Sequence, residues 1–200
     1  MFISIDGLDG GGKSTQIAAL CAWLREAGHT VVTCRDPGTT RLGETVREVL
    51  LERENVAIGP HAEMLLYMAA RAQLVAEVIR PALAANSIVV SDRFVLANVV
   101  YQGHAGGLDP EQIWQVGRVA TQGLLPDLTM VLDLSVAAAA ARLQRPLDRM
   151  ERRGTSFLQA VRDGFLREAA QLPDRVAVID AARSIDAVQA DIRRAVQARL

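Results

Sequence analysis

Lysine is almost missing from this chain. Of its 22 Lys and Arg residues, Lys13 is the sole lysine, and every other basic position is arginine. A chain this biased keeps a lysine where a compact point charge is needed and a planar fork would not fit. Aromatics are scarce too, at 4%, which argues against stacking platforms for single-stranded nucleic acid. A net charge of −1 and a pI near 6.3 point to neither nucleic acid nor an anionic membrane. The two cysteines, Cys21 and Cys34, form no CxxC pair and read as buried free thiols, which fits a reducing cytoplasm. His29, His61 and His104 do not cluster, which argues against a metal site built on histidine. No run approaches 18 apolar residues without a charge, so no membrane span is expected. No leader peptide is expected either, because a buried strand begins at residue 2. No internal repeat is visible.

Hydrophobic residues are half of the 200, enough for a sizeable core in one domain spanning 1–200. The chain opens on MFISIDGLDGGGKST. Residues 2–5 read as a buried strand, and Asp6 closes it. Gly7, Leu8, Asp9, Gly10, Gly11, Gly12, Lys13 and Ser14 then match GxxxxGK[ST], with Thr15 following. Apolar periodicity resumes at Ile17, Leu20 and Leu24, which opens a helix. Glycines let backbone N–H groups close around a phosphate, and the helix start adds free N–H groups and the positive end of its dipole. Lys13 is placed to charge-stabilise the β and γ phosphates, and Ser14 to ligate Mg²⁺.

The remaining pattern alternates strands and helices. Helix is expected over 13–27, ending at Gly28, and strand over 30–34. Helices follow at 42–53 and 61–85, the latter kinked at Pro81. Strand 88–92 precedes a helix at 94–102 and a glycine-rich loop at 103–107. Helix 110–122, strand 128–134, helix 136–143, an arginine-rich stretch at 144–154, helix 156–170, strand 175–179 and helix 185–200 complete the chain. This order predicts an α/β fold of about five parallel strands with helices on both faces. Ligands in such sheets lie outside the carboxyl ends of the strands. Residues 7–14, Arg35 and Asp92-Arg93 all fall at such ends.

Each cluster has a functional and an ordinary reading. Asp92 ending a buried strand can orient Mg²⁺ and Arg93 can grip a phosphate, or the two form a surface ion pair. Arg35 grips a phosphate or is simply solvated. The 144–154 stretch carries Arg145, Arg149, Arg152 and Arg153. It reads as a lid that excludes water and brings positive charge to a moving phosphoryl group, or as a solvated loop partly neutralised by Asp148 and Glu151. Tyr67 and Arg71 share a helix face, suited to stacking on and hydrogen-bonding a flat base, or to core packing with a solvated arginine. Arg193, Arg194 and Arg199 read as a solvated face of the last helix.

Together these pieces resemble the thymidylate kinase family of P-loop nucleoside monophosphate kinases. The resemblance runs almost end to end, through FISIDGLDGGGKST, RDPGTT at 35–40, AEMLLYMAARAQ at 62–73, SDRFVLANVVYQG at 91–103, PDLTMVLDL at 126–134 and LDRMERRGTSFLQAVRDGFLREA at 147–169. It implies a P-loop NTPase fold with a small lid, ATP and dTMP as substrates, Mg²⁺, a homodimer and a cytoplasmic enzyme. It implies that residues 7–15 hold the ATP phosphates and that Asp9 lies near the dTMP 3′-hydroxyl. Arg35 and Arg93 would bind the acceptor phosphate. Tyr67 would stack on thymine, Arg71 would hydrogen-bond it, and Asn98 would assist. Tyr101 would wall the sugar against a 2′-hydroxyl, with Gln102 beside it. Ser14 and Asp92 would serve the metal. Gly10 and Gly11 leave no arginine inside the phosphate loop. The chain therefore resembles the branch in which a lid arginine, Arg145 or Arg149, joins Lys13 and Arg93 in catalysis. Asp6, Asp36, Thr39, Phe94 and Ala97 depart from the family's usual residues, and the two aspartates set their carboxylates back by about 1.5 Å.

The rival within enzymes is a kinase for another nucleoside or nucleotide. The rival outside catalysis is a nucleotide-binding switch. An Asn-Lys-x-Asp guanine-reading motif is impossible with the single lysine at position 13.

Overall fold

The computed structural model describes residues 1–53, 56–143 and 148–200. Its centre is β1 (Phe2–Gly7), buried along its whole length. β1 pairs in parallel with β3 (Ile88–Asp92) on one side and β4 (Leu128–Asp133) on the other. β2 (Val31–Arg35) lies outside β3, and β5 (Val176–Asp180) outside β4. The strand order is therefore β2-β3-β1-β4-β5, all parallel. The expected α/β fold of five parallel strands is observed.

Alternation along the strands separates two apolar layers. Ile3, Ile5 and Val90 face one layer with Leu20, Leu24, Phe165 and Ile192. Phe2 and Val89 face the other, with Met68, Leu74, Phe94, Val99 and Ile113. Phe2 meets Phe94 edge to face with ring centroids 4.9 Å apart, a favoured aromatic geometry.

The helices occupy nearly the expected spans. α1 (Lys13–Glu26) follows the phosphate loop. α2 (Arg41–Leu51) is capped by Thr40, whose Oγ1 accepts from the Gly43 N–H at 2.9 Å. α3 (Pro60–Leu74) runs into a π-helical stretch at Val75–Ile79, and α4 (Arg80–Ala84) continues it. The kink expected at Pro81 is thus a π turn one step earlier. Proline cannot donate to the i−4 carbonyl and crowds it, and a wider turn relieves that conflict. α5 (Val95–Asn98) passes into a second π stretch, Val99–His104. α6 (Pro110–Thr121), α7 (Val136–Arg142), α8 (Thr155–Gln171) and α9 (Ile185–Gln197) complete the layers. Among the described residues, no helix is long and apolar enough to cross a membrane. Cys21 and Cys34 are buried and unbridged, and burial pushes the Cys34 thiol up to about 12.

Register fixes what lies at the carboxyl edge. Asp92 is level with Arg35 on one side and with Ile5 on the other. The last residues of β2 and β3 therefore stand beside the turn that leaves β1.

Candidate active site

The loop after β1 folds tightly onto its neighbours. Gly7 has φ +130°, and a Cβ there would lie 2.6 Å from the Leu132 carbonyl oxygen. Gly10 has φ +82°, and a Cβ would lie 2.2 Å from the Ala139 oxygen of α7. Part of the glycine requirement is thus internal, because the loop packs against β4 and α7. Ser14 and Thr15 sit exposed in the first turn of α1.

Lys13 is only 6% exposed. Its Nζ donates to the carbonyls of Gly7 (3.3 Å) and Leu8 (3.0 Å) and to Asp9 Oδ1 at 2.8 Å. Arg93 converges on the same atoms: Nη1 donates to Gly7 O at 2.9 Å and Nη2 to Asp9 Oδ1 at 2.8 Å. Burial would raise the Asp9 carboxyl, but Arg93 and Lys13 outweigh it and hold it well below the usual carboxylate range. Arg93 adopts φ +69°, an uncommon conformation for a non-glycine residue. Its own carbonyl accepts from Ser91 Oγ at 2.7 Å. The surface ion pair with Asp92 is not what forms: Asp92 Oδ1 is buried and has no hydrogen-bond partner.

A cleft opens beside this cluster. Asp9, Arg35, Tyr67, Arg71, Asp92, Arg93, Asn98, Tyr101 and Gln102 all line it. Every side chain expected to contact the acceptor therefore faces one space, and both tyrosines of the chain are among them. Arg71, expected on its own merits to be solvated, is 1% exposed. Its Nε donates to Asp36 Oδ2 at 2.5 Å, and its Nη1 to Asn98 Oδ1 at 3.0 Å. Arg35 stands at the mouth, its Nη2 on both oxygens of Glu44 at 3.0 Å. Arg93 lies 5.1 Å from the Tyr101 ring centre, in cation–π range. The π stretch at Val99–His104 carries Tyr101 and Gln102; such turns recur at functional sites.

Of the arginines expected in catalysis, Arg145 lies outside the described residues. Arg149 pairs with Glu63 and donates Nε to the Leu50 carbonyl at 2.7 Å. It flanks the cleft on the α2–α3 side.

Arg47 and Glu63 were not singled out from sequence. Arg47 lines the cleft and donates to the Pro37 carbonyl at 3.2 Å. Burial and then the neighbouring Arg35 lower its pKa. Spacing held a signal for both: Arg47 is three residues after Glu44, and Glu63 one helical turn before Tyr67.

The arrangement combines a strand–glycine loop–helix cradle with an arginine-lined cleft that abuts it, joined by Lys13 and Arg93. It can hold two phosphorylated ligands end to end. Comparison with known proteins decides which kind. The family model "Thymidylate kinase" matches residues 5–192. The chain belongs to the thymidylate kinase family. It is 47% identical to the thymidylate kinase of Chromohalobacter salexigens over 203 residues, covering 100% of this chain and 96% of that one. With that of Caldanaerobacter subterraneus subsp. tengcongensis it shares 44% over 197 residues, covering 98% and 94%. The crystal structure of thymidylate kinase from Ehrlichia chaffeensis superposes with a TM-score of 0.82 at 29% identity, covering 98% of both chains. The fold is that of P-loop NTPases. As a thymidylate kinase, the protein is an ATP-dependent phosphotransferase acting on a nucleoside monophosphate, dTMP.

Proposed function

We propose that the chain catalyses ATP + dTMP → ADP + dTDP with the residues that converge on this cleft. The observation that carries the assignment of roles is the shared Asp9 oxygen, contacted by Lys13 and Arg93 at 2.8 Å each. It makes the phosphate loop and the arginine-lined cleft two halves of one site. Donor phosphates bind over residues 7–15. The acceptor phosphate meets Arg93 and Arg35, its base meets Tyr67, Arg71 and Asn98, and its sugar meets Tyr101, with Gln102 and Asp9 completing the wall.

An oxygen of the dTMP phosphate attacks the γ-phosphorus in line. The new P–O bond forms as the bond to the β–γ bridging oxygen breaks, and that oxygen leaves on ADP. No covalent enzyme intermediate is needed, so the protein's work is alignment and charge neutralisation. Lys13 and Arg93 supply fixed positive charge, and Arg93 spans both ligands. Arg149 and Arg145 are the arginines of the 144–154 lid that would add to it.

Mg²⁺ fits the residues present. Asp92 offers a buried carboxylate oxygen with no hydrogen-bond partner, and Ser14 an exposed hydroxyl at the helix start. These are the hard oxygen donors that magnesium prefers. Held by Asp92 and Ser14, it would supply positive charge to offset that of the phosphate oxygens. As a cytoplasmic enzyme the protein would act as a homodimer, as the family resemblance implies. Its buried, unbridged cysteines suit a reducing compartment.

The test is a coupled ADP-release assay across dTMP, dUMP, dCMP, dGMP and thymidine. Highest kcat/KM on dTMP is expected. A preference for thymidine itself would refute an acceptor site built around a phosphate.

A further inference from the structure

A file of hydrogen-bonded side chains runs from Arg71 in the acceptor cleft to Arg149. Arg71 Nη1 donates to Asn98 Oδ1 at 3.0 Å. Asn98 Nδ2 donates to Gln102 Oε1 at 2.6 Å, and Gln102 Nε2 donates to Glu63 Oε1 at 2.8 Å. The second oxygen of Glu63 accepts from Arg149 Nη2. Arg149 is held independently by the Leu50 carbonyl. Arg71, Asn98, Gln102 and Glu63 are 1%, 2%, 3% and 6% exposed. Glu63 is where the file ends and the arginine-rich segment begins, and each of its oxygens serves one side.

We propose that Glu63 is a positioning residue that couples occupancy of the acceptor pocket to the placement of Arg149. The proposal rests on the acceptor reading above. A buried carboxylate is stable only while its partners are in place. In a low-dielectric interior, hydrogen bonds in series polarise and orient one another. A base that fixes Arg71 and Asn98 therefore fixes Gln102, and through it the carboxylate that holds Arg149. Arg149 lies in the segment read as the lid over the donor. Acceptor and donor then tighten each other's binding by a common factor, as linkage requires.

Titration calorimetry reads that factor directly. ADP is titrated into the full-length protein with and without dTMP, then dTMP with and without ADP. The wild type is expected to show mutual tightening of about 5-fold or more. In Glu63→Gln the factor falls to below about 2-fold. Arg149→Gln gives the same loss, and the double variant loses nothing further. A purely structural role for Glu63 would weaken each ligand equally whether or not the other is bound, leaving the factor unchanged. That result, additive losses in the double variant, or a wild type that binds both ligands without coupling would each overturn the proposal. Should Glu63→Gln fail to fold, Arg149→Gln, altered at a side chain 28% exposed, reads the same coupling. A wild type that does not bind dTMP at all would instead break the acceptor reading.

Discussion

Arg71 and Asp36 form an ion pair at 2.5 Å in which neither side chain is more than 2% exposed. The pair joins the helix that carries Tyr67 to the turn that follows β2. It also sets the guanidinium plane: with Nε on Asp36, Nη1 is directed at Asn98 and Met68, and Nη2 lies 3.4 Å from the Phe94 carbonyl. On the acceptor reading proposed above, the pair anchors the Nε edge of the guanidinium and leaves the Nη groups for the base to engage and fix.

Removing one member of a buried pair leaves the other's charge unpaired, at about 3–5 kcal/mol. Arg71→Met is therefore expected to lower unfolding free energy by about that amount in urea titrations. Arg71→Met with Asp36→Leu should lose much less than the sum of the single changes. Arg71→Lys keeps a charge and loses the fork, so it should raise KM for dTMP by roughly 10-fold or more, the loss of about one charge-assisted hydrogen bond. Additive single and double losses would show that the pair contributes little.

Lys13 can be labelled selectively, because no other lysine of the chain competes. Reductive methylation should label the Lys13 Nζ and the N-terminal amine only. ATP should protect Lys13 selectively, as read by intact and peptide mass. Lys13→Ala should cut kcat by roughly 10³-fold or more, by analogy with arginine fingers. Labelling of Lys13 at equal rates with and without ATP would remove it from the phosphate cradle.

Asp6 gives a pH signature. Burial drives its carboxyl up to about 6, against the opposing pull of Arg93 and the Ser4 hydroxyl. Its Oδ1 has no hydrogen-bond partner. The sign follows from linkage: the folded state holds this proton more tightly than the unfolded chain. The resulting stabilisation is complete below the unfolded value near 3.8 and is lost as pH rises through about 6. Asp6→Asn should therefore gain stability relative to wild type across that window and level off above it. The gain should be on the order of 3 kcal/mol. Urea melts of both proteins from pH 4 to 8 measure it, and a difference that does not change with pH would contradict the assignment.

Much of this was legible in the residues. The strand, glycine loop and helix come in sequence order, and the alternation of strands and helices leaves few topologies open. Arg35, Tyr67, Arg71, Arg93, Asn98, Tyr101 and Gln102 were grouped by resemblance, and they share one cleft. What sequence could not give was partnership. A solvated Arg71 stood as one of its two readings because its partner Asp36 is 35 residues away, in the turn after β2, and only the packing of α3 against that turn brings them together. Asp92 and Arg93 are adjacent, but a strand end points neighbours apart, so Arg93 pairs with Asp9 instead. The π turns at Val75–Ile79 and Val99–His104 have no periodicity signal of their own, since each adds one residue to a helical pattern.

Tyr101 sits partly buried in the cleft, with its ring edge-on to Phe157 and Phe165 at centroid distances of 6.3 and 6.1 Å. Arg93 lies over the ring. The ring is therefore braced from two sides, and a braced wall resists the added volume of a 2′-hydroxyl where a mobile one would yield. Tyr101→Ala should reduce the preference for dTMP over ribothymidine monophosphate by roughly 10-fold, within the 1–3 kcal/mol a single pocket group can supply. Tyr101→Phe keeps the ring and should keep the preference to within about 3-fold, on the same scale. The ratio of kcat/KM values for the two acceptors decides it. An alanine variant with the wild-type ratio would mean that another group excludes the hydroxyl.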